Sequence, residues 1–220
     1  MIVLAIDTAS SFCSACLYDV DKQAALARQS VDLGRGHAEH LLGMIDEVMA
    51  AAGTDFDAID HIAVCIGPGS FTGIRVGVAA ARGFALALNK PIAGVTTLQA
   101  IAGDYAANAP FAVAIKAGRG QAFAQCFGVD ASPHNDPFSI NLETEPDKLI
   151  EPRFSKIIGN AAELVDANRS VPSMDGPTGA IETVARLGVQ STTPPSPLYV
   201  RAADAKIAQG FALPRQSESI

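Results

Sequence analysis

The sequence predicts an α/β fold of two lobes, each a mixed sheet with helices on its faces, and three observations carry that expectation. Short continuous apolar runs, IVLAI at 2–6 and IAVCI at 62–66, have the length and composition of buried strands. Between and after them lie two stretches with apolar residues at helical spacing, 37–52 and 75–88. Later, AIKAGRG at 114–120 echoes AIDTASS at 5–11, an apolar strand running into a small polar turn, so part of the pattern is repeated. The 220 residues are 49% hydrophobic and 18% charged, enough apolar material for a core. That core must be built from Ala, Val, Ile and Leu, because there are ten Phe, three Tyr and no Trp.

Taken in order, residues 2–6 form a strand that ends at the turn DTASS. Residues 12–18 and 24–31 form two more strands, joined by a turn around Asp19 to Lys22. Residues 37–52 form a helix with Ala38, Leu41, Ile45, Val48 and Ala52 on one stripe, and Gly53 stops it. Residues 62–66 form a strand, 67–73 (GPGSFTG) a loop, 75–88 a second helix and 91–95 a further strand. The repeat supplies strands at 111–115 and 122–129. Residues 131–153 read as loops, 156–158 as a strand, 161–167 and 181–187 as short helices, and 192–197 as a Pro-rich linker. The last ten residues read as a frayed, flexible tail. The order of the first half is that of one lobe of the actin/Hsp70-like (ASKHA) superfamily, whose two lobes clamp a nucleotide. The expected division is an N-terminal lobe of that type over 1–104 and a shorter, reduced second lobe with its tail over 105–220.

Charge and composition exclude some functions. The formal net charge is −7, and there is no basic stripe of the kind that displaces counterions from phosphates. Any contact with nucleic acid is therefore expected only through a partner. No apolar stretch reads as a membrane span, the opening MIVLAID lacks a basic leader, and the four Cys sit mostly in apolar runs. The expectation is a cytoplasmic protein with buried free thiols and no membrane contact.

The loop Gly67-Pro68-Gly69-Ser70-Phe71-Thr72-Gly73 before a helix is the sharpest motif. Gly67, Gly69, Ser70, Thr72 and Arg75 are candidate contacts to a nucleotide or another anion, because glycine lets the backbone approach a ligand and a helix start offers free N–H groups. The loop is neither a Walker A sequence nor a G-x-G-x-x-G fingerprint, and a purely structural turn is the alternative. Asp7 ends the first strand where an actin-like ATPase keeps an acid near magnesium, and an Asx-turn is the alternative there. Lys116 stands at the matching position of the repeat, and no glycine-rich adenosine loop follows residue 160, so autonomous ATP hydrolysis is not expected. His37 and His40 could be two metal ligands, but no third partners them at a sensible spacing. Cys13 and Cys16 are three apart on a strand and point to opposite faces. No catalytic residue and no metal ligand is assigned.

The two helices carry more small and apolar surface than one core needs. Leu42, Met44 and Met49 lie off the main stripe of the first. On the second, Gly73, Gly77 and Ala81 line one side and Ala79, Gly83 and Ala87 another. The expected partner interface is Leu42, Met44, Met49, Gly77, Ala79, Gly83 and Ala87.

The stretches IVLAIDTASSFCSACLYD, GPGSFTGIRVGVAAARGFALAL and KPIAGVTTLQAIA resemble the TsaB (YeaZ) family, as does, more loosely, Pro197-Leu198-Tyr199-Val200-Arg201. The likeness covers residues 1–103 well. Where many members carry Asp-Ala-Arg, this chain has Lys116-Ala117-Gly118. The resemblance implies a two-lobe actin-like fold without an intact ATP site. It implies a non-catalytic subunit of the bacterial complex that transfers threonylcarbamoyl to the adenine N6 beside the anticodon of ANN-decoding tRNAs. The implied partners are TsaD, as a heterodimer, and TsaE, with a homodimer open to the chain when alone. ATP or an adenylate would be held within the complex and not tightly by this chain. An independent actin-like ATPase or kinase, a metallopeptidase-like protein and a homodimeric scaffold are the competing readings.

Overall fold

The computed structural model describes residues 1–108, 110–145, 154, 156–166 and 178–200. Two sheets organise it. The first has five strands in the order β3-β2-β1-β4-β5, from β1 (Ile2–Asp7), β2 (Phe12–Asp19), β3 (Ala24–Asp32), β4 (His61–Cys65) and β5 (Ile92–Val95). β1–β2–β3 is an antiparallel meander, while β1–β4 and β4–β5 pair in parallel. The second sheet has the order β8-β7-β6-β9, from β6 (Phe111–Gly118), β7 (Gln121–Phe127), β8 (Phe138–Asn141) and β9 (Ile157–Ile158). Here β6 pairs antiparallel with β7 and in parallel with β9, as β1 does with β2 and β4. The echo between 5–11 and 114–120 is thus a repeat of topology: each copy is a hairpin strand followed by a parallel crossover. The fold is mixed α/β with two sheets.

Strand alternation divides the first sheet between two cores. Leu4, Ile6, Cys13, Leu17, Ile62 and Val64 face helices α1 (His37–Ala52) and α2 (Phe71–Leu88). Val3, Ala5, Cys16, Ala63 and Val95 face the opposite way, onto α5 (Ile181–Gln190). A strand buried on both faces reads as a continuous apolar run, which is why 2–6 and 62–66 were legible. α5 follows the second sheet in sequence yet returns to cover the first. Helix α3 (Thr97–Asp104) joins the sheets, with Leu98, Ile101 and Ala102 packed on Phe111, Val113, Phe123 and Phe127.

Several expected elements differ in extent. α2 starts at Phe71, four residues before the expected start, because Ser70 caps it: its Oγ accepts the Gly73 N–H at 3.2 Å. α3 was not expected, although Thr96 and Gln99 form a reciprocal capping box. β8 lies within the stretch read as loops. α4 (Ala162–Val165) and β9 are shorter than their expected ranges. α1 ends as expected, with Gly53 in the left-handed region. All four Cys are free and buried. The expected flexible tail lies outside the described residues.

α2 has 18 residues and a mean hydropathy of 1.3, long and apolar enough by length and composition to cross a membrane. Its buried side packs on the first sheet, through Ile74, Val78, Ala81 and Ala85, and its exposed side carries Arg75 and Arg82.

Candidate functional site

The sharpest sequence motif is a close-packed joint in the structure. The turn after β1 lies directly beneath the loop 67–73 and the first turns of α2. The Ser70 N–H donates to the Ala9 carbonyl at 2.7 Å, and the Thr8 hydroxyl donates to the Gly73 carbonyl at 2.7 Å. Glycine is required here by proximity. A Cβ on Gly69 would lie 2.0 Å from the Ala9 carbonyl oxygen, and one on Gly73 would lie 2.0 Å from the Thr8 carbonyl oxygen. Gly67 is buried with φ 93° and passes its carbonyl to the Thr97 N–H at 2.9 Å, tying the loop to the start of α3. Gly69, Ser70, Thr72 and Arg75 are exposed at the rim.

Asp7 lies under this joint and is buried. One carboxylate oxygen accepts the Ala9 N–H at 2.8 Å, which makes the Asx-turn that was the alternative reading, and the other accepts the Thr178 hydroxyl. Burial pushes its carboxyl above the usual range, against the opposing effect of those hydrogen bonds. The neighbouring Cys65 thiol, whose sulfur lies 3.2 Å from the Thr97 hydroxyl, is likewise pushed up by burial. Asp7 therefore does not open onto the rim formed by Ser70, Thr72 and Arg75. Lys116, its match in the repeat by sequence, is exposed, with its backbone N–H on the Asn160 side chain at 2.8 Å.

Arg75 makes contacts that sequence reasoning did not find. Its guanidinium carbon sits 3.6 Å from the centre of the Phe71 ring, and its Nε donates to the Tyr199 hydroxyl at 2.8 Å. Tyr199 arrives on a strap, residues 191–199. The Gly94 N–H donates to the Thr193 carbonyl at 2.8 Å, and the Leu198 N–H to the Ile66 carbonyl at 2.8 Å. The signal in the sequence was the Pro-x-Tyr-x-Arg resemblance; nothing in its spacing tied Tyr199 to Arg75. Thr178 had no local signal at all.

His37 and His40 are bound to different carbonyls: His37 Nε2 donates to Phe12 at 3.2 Å and His40 Nδ1 to Gly36 at 2.8 Å. His37 is buried and His40 exposed. Burial pushes the Cys13 thiol up to about 11 and the Cys16 thiol up to about 12, which leaves both as thiols at neutral pH.

The expected interface residues separate into two groups. Leu42, Ala79, Gly83 and Ala87 are exposed on the outer side of α1 and α2, with Leu86 beside them at 85% exposure and Phe71 at the end of the stripe. Met44, Met49 and Gly77 are buried against the chain's own core and are corrected accordingly. Met44 and Met49 join Leu41, Ile45 and Val48 in the main cluster, and a Cβ on Gly77 would lie 2.4 Å from the Thr8 hydroxyl oxygen.

Residues 31–129 match the family model described as TsaD: tRNA N6-adenosine threonylcarbamoyltransferase, a span running from the end of β3 to just past β7. The tRNA threonylcarbamoyladenosine biosynthesis protein TsaB of Escherichia coli (strain K12) is 36% identical over 102 residues, which is 46% of this chain and 43% of that protein. TsaB of Haemophilus influenzae is 35% identical over 100 residues, 46% of this chain and 41% of that protein. The chain thus spans less than half the length of the curated relatives it matches. Two solved structures share the fold. One is an uncharacterized protein from Pseudomonas aeruginosa with similarity to peptidase YEAZ, at TM-score 0.74 and 24% identity over 91% of this chain and 99% of that one. The other is YeaZ from Pseudomonas aeruginosa, at TM-score 0.72 and 22% identity over 90% and 99%.

Proposed function

Because the chain belongs to the TsaB (YeaZ) family, we propose that it is the non-catalytic subunit of the assembly that transfers threonylcarbamoyl to the adenine N6 beside the anticodon of ANN-decoding tRNAs. It docks a TsaD-type subunit as a heterodimer, works with TsaE, and meets tRNA only through them, in the cytoplasm. The observation that carries this reading is the outer face of α1 and α2. Small residues at Ala79, Gly83 and Ala87 let another helix approach to the short end of the ~8–10 Å interaxial range. Leu42 and Leu86 flank them with exposed apolar surface. An apolar, small-residue face left uncovered on an otherwise well-buried lobe marks an interaction site.

Asp7 supports the supporting role. A magnesium- or phosphate-handling acid must reach its ligand, whereas Asp7 is buried and bonded to Ala9 and Thr178. In this reading the chain alone holds no nucleotide tightly, and ATP or an adenylate is held within the complex. The exposed rim residues Gly69, Ser70, Thr72 and Arg75 are where this chain would contact an anion there. The lobe arrangement proposed is actin-like, with the first lobe centred on residues 1–104 and a reduced second lobe. Its support is the repeated strand order, in which the described part of the second sheet has no counterpart of β5.

The test is reconstitution with TsaD and TsaE subunits from the same organism. Modified tRNA should form with this chain and fail without it. The chain alone should not turn over Mg-ATP above an Asp7→Ala control. Modification that proceeds equally well without the chain contradicts the reading, as does Asp7-dependent turnover at about 1 per second or faster by the chain alone.

A further inference from the structure

A cavity of about 500 Å³ lies where the two sheets meet. Helices α3 and α5 and the start of the strap, residues 191–193, wall it on the side of the first sheet, and the turn 129–131 after β7 borders it from the second. That volume lies within the ~300–1,000 Å³ of small-molecule sites. No residue of α1 or α2 lines it, so it is separate from the outer face of those helices. Its charged lining residues are one cation, Arg186, and one acid, Asp130. The ion pairs among the described residues are Met1–Asp21, Lys22–Asp19 and Arg28–Glu182. Two opposite charges therefore share one cavity without pairing, either with each other or with another described group.

Both charges are held in place. The buried Thr183 hydroxyl donates to an Asp104 carboxylate oxygen and accepts from one terminal nitrogen of Arg186 at 3.2 Å, so Asp104 and Thr183 together orient the guanidinium on α5. Its other nitrogens, part of the fork that grips a carboxylate, have no partner among the described residues. Gly103 of α3 makes room for this arrangement: a Cβ there would lie 2.7 Å from Thr183 Cγ2 and 3.9 Å from a terminal nitrogen of Arg186. On the other wall, Asp130 and Ala131 are successive non-glycine residues in the left-handed region, at φ 58° and 55°, a backbone that persists only where its surroundings impose it. The turn is closed by the Gly128 N–H on the Ser132 carbonyl at 2.8 Å and by the Ser132 hydroxyl on the Val129 carbonyl at 2.9 Å. Between the two charges, Gln99 and Gln190 supply neutral polar groups, and Val95 and Leu187 supply apolar surface.

A preordered cation and a preordered acid on one small cavity select a molecule that carries both opposite charges. A nucleotide or another polyphosphate is a poor match, because it brings several negative charges to a single guanidinium and meets Asp130 as a like charge. An uncharged solute uses neither group. We propose that the cavity binds a free amino acid, with its carboxylate on Arg186, its ammonium on Asp130 and its side chain against Val95 and Leu187. The bound zwitterion bridges α5, which covers the first sheet, and the turn 129–131, which follows a strand of the second. It therefore ties the two sheets together at their junction.

The test is calorimetric titration of the full chain with glycine, alanine, serine, leucine, glutamine and lysine, each to ~10 mM, repeated on Arg186→Gln and on Asp130→Asn. For the tightest of these, the carboxamide and the N-acetyl form are titrated as well, because the first lacks the carboxylate and the second the ammonium. At least one amino acid should bind with a Kd of about 1 mM or below and raise the melting temperature as its concentration rises. Each substitution should weaken binding about tenfold or more. Both positions are exposed, so the melting temperature of the unliganded variants should match that of wild type. Arg186→Gln should not weaken the carboxamide further, nor Asp130→Asn the N-acetyl form, since each pair removes the same contact from its two sides. The proposal is overturned if no amino acid of the panel binds at ~10 mM, or if either substitution leaves the affinity unchanged. A ligand that binds equally well without its ammonium assigns the cavity to a simple anion, and one that binds equally well without its carboxylate to a simple cation; either result also overturns it.

Discussion

Helix α2 carries glycine on both of its faces, and the two faces use it for opposite ends. On the inner face, Gly73 and Gly77 let the helix settle onto the turn after β1, where any Cβ would meet Thr8 at 2.0 and 2.4 Å. On the outer face, a Cβ on Gly83 would meet nothing within 4 Å. Composition and a spacing of about four are shared by the two faces, so the pattern announces close approach without saying to what. The inner face has its neighbour within the chain, and the outer face has none among the described residues.

The largest expected effect breaks the inner face. Gly73→Ala places a methyl group on a backbone carbonyl that the Thr8–Gly73 hydrogen bond holds in place. It should cost the upper end of the ~1–3 kcal/mol typical of overpacking, or prevent folding. Urea denaturation measures it; a loss below about 0.5 kcal/mol, the range of innocuous surface changes, would break the distinction between the faces.

Thr178→Val comes next. It removes the hydroxyl that donates to the buried Asp7 carboxylate and should cost about 1–3 kcal/mol by the same measurement. No loss would mean that the hydroxyl contributes nothing to holding Asp7.

A subtler test concerns Asp7 itself. Its carboxyl is pushed up by burial, so above the ordinary carboxylate range the folded chain retains a proton that the unfolded chain has released. The stability this group contributes is complete below the ordinary value and is lost as pH rises through the raised one. Asp7→Asn should therefore gain on wild type as pH climbs from about 4 to 7. A stability difference independent of pH would show that Asp7 does not titrate differently on folding.

The smallest effect sharpens the outer face. Gly83→Ala adds only a methyl group in open space and removes a flexible residue from a helix interior. It should stabilise the isolated chain by about 0.5–1 kcal/mol. Destabilisation would mean that Gly83 is not open.

Much of this was legible in the sequence, for physical reasons. The strands at 2–6 and 62–66 are buried on both faces, and the GPGSFTG loop advertises backbone contact. The sidedness of α1 was misread. Met44 is three residues from Leu41 and Met49 four from Ile45, so both fall within the wide buried arc of a helix on a sheet and do not form a second stripe. α3 was legible in Thr96 and Gln99 and went unread. The contacts of Thr178 with Asp7 and of Tyr199 with Arg75 join residues 171 and 124 positions apart, and no local pattern encodes such meetings.

The measurement that bears most directly on the account is the affinity of Gly83→Leu for the TsaD-type subunit, read beside the variant's own melting temperature. Leucine at an open position should leave the melting temperature of the isolated chain at or above that of wild type. In a close helix contact it should cost ~1–3 kcal/mol of association, a roughly 5- to 150-fold rise in Kd. A folded Gly83→Leu that binds the partner as tightly as wild type would show that the outer face of α2 is not where the partner docks.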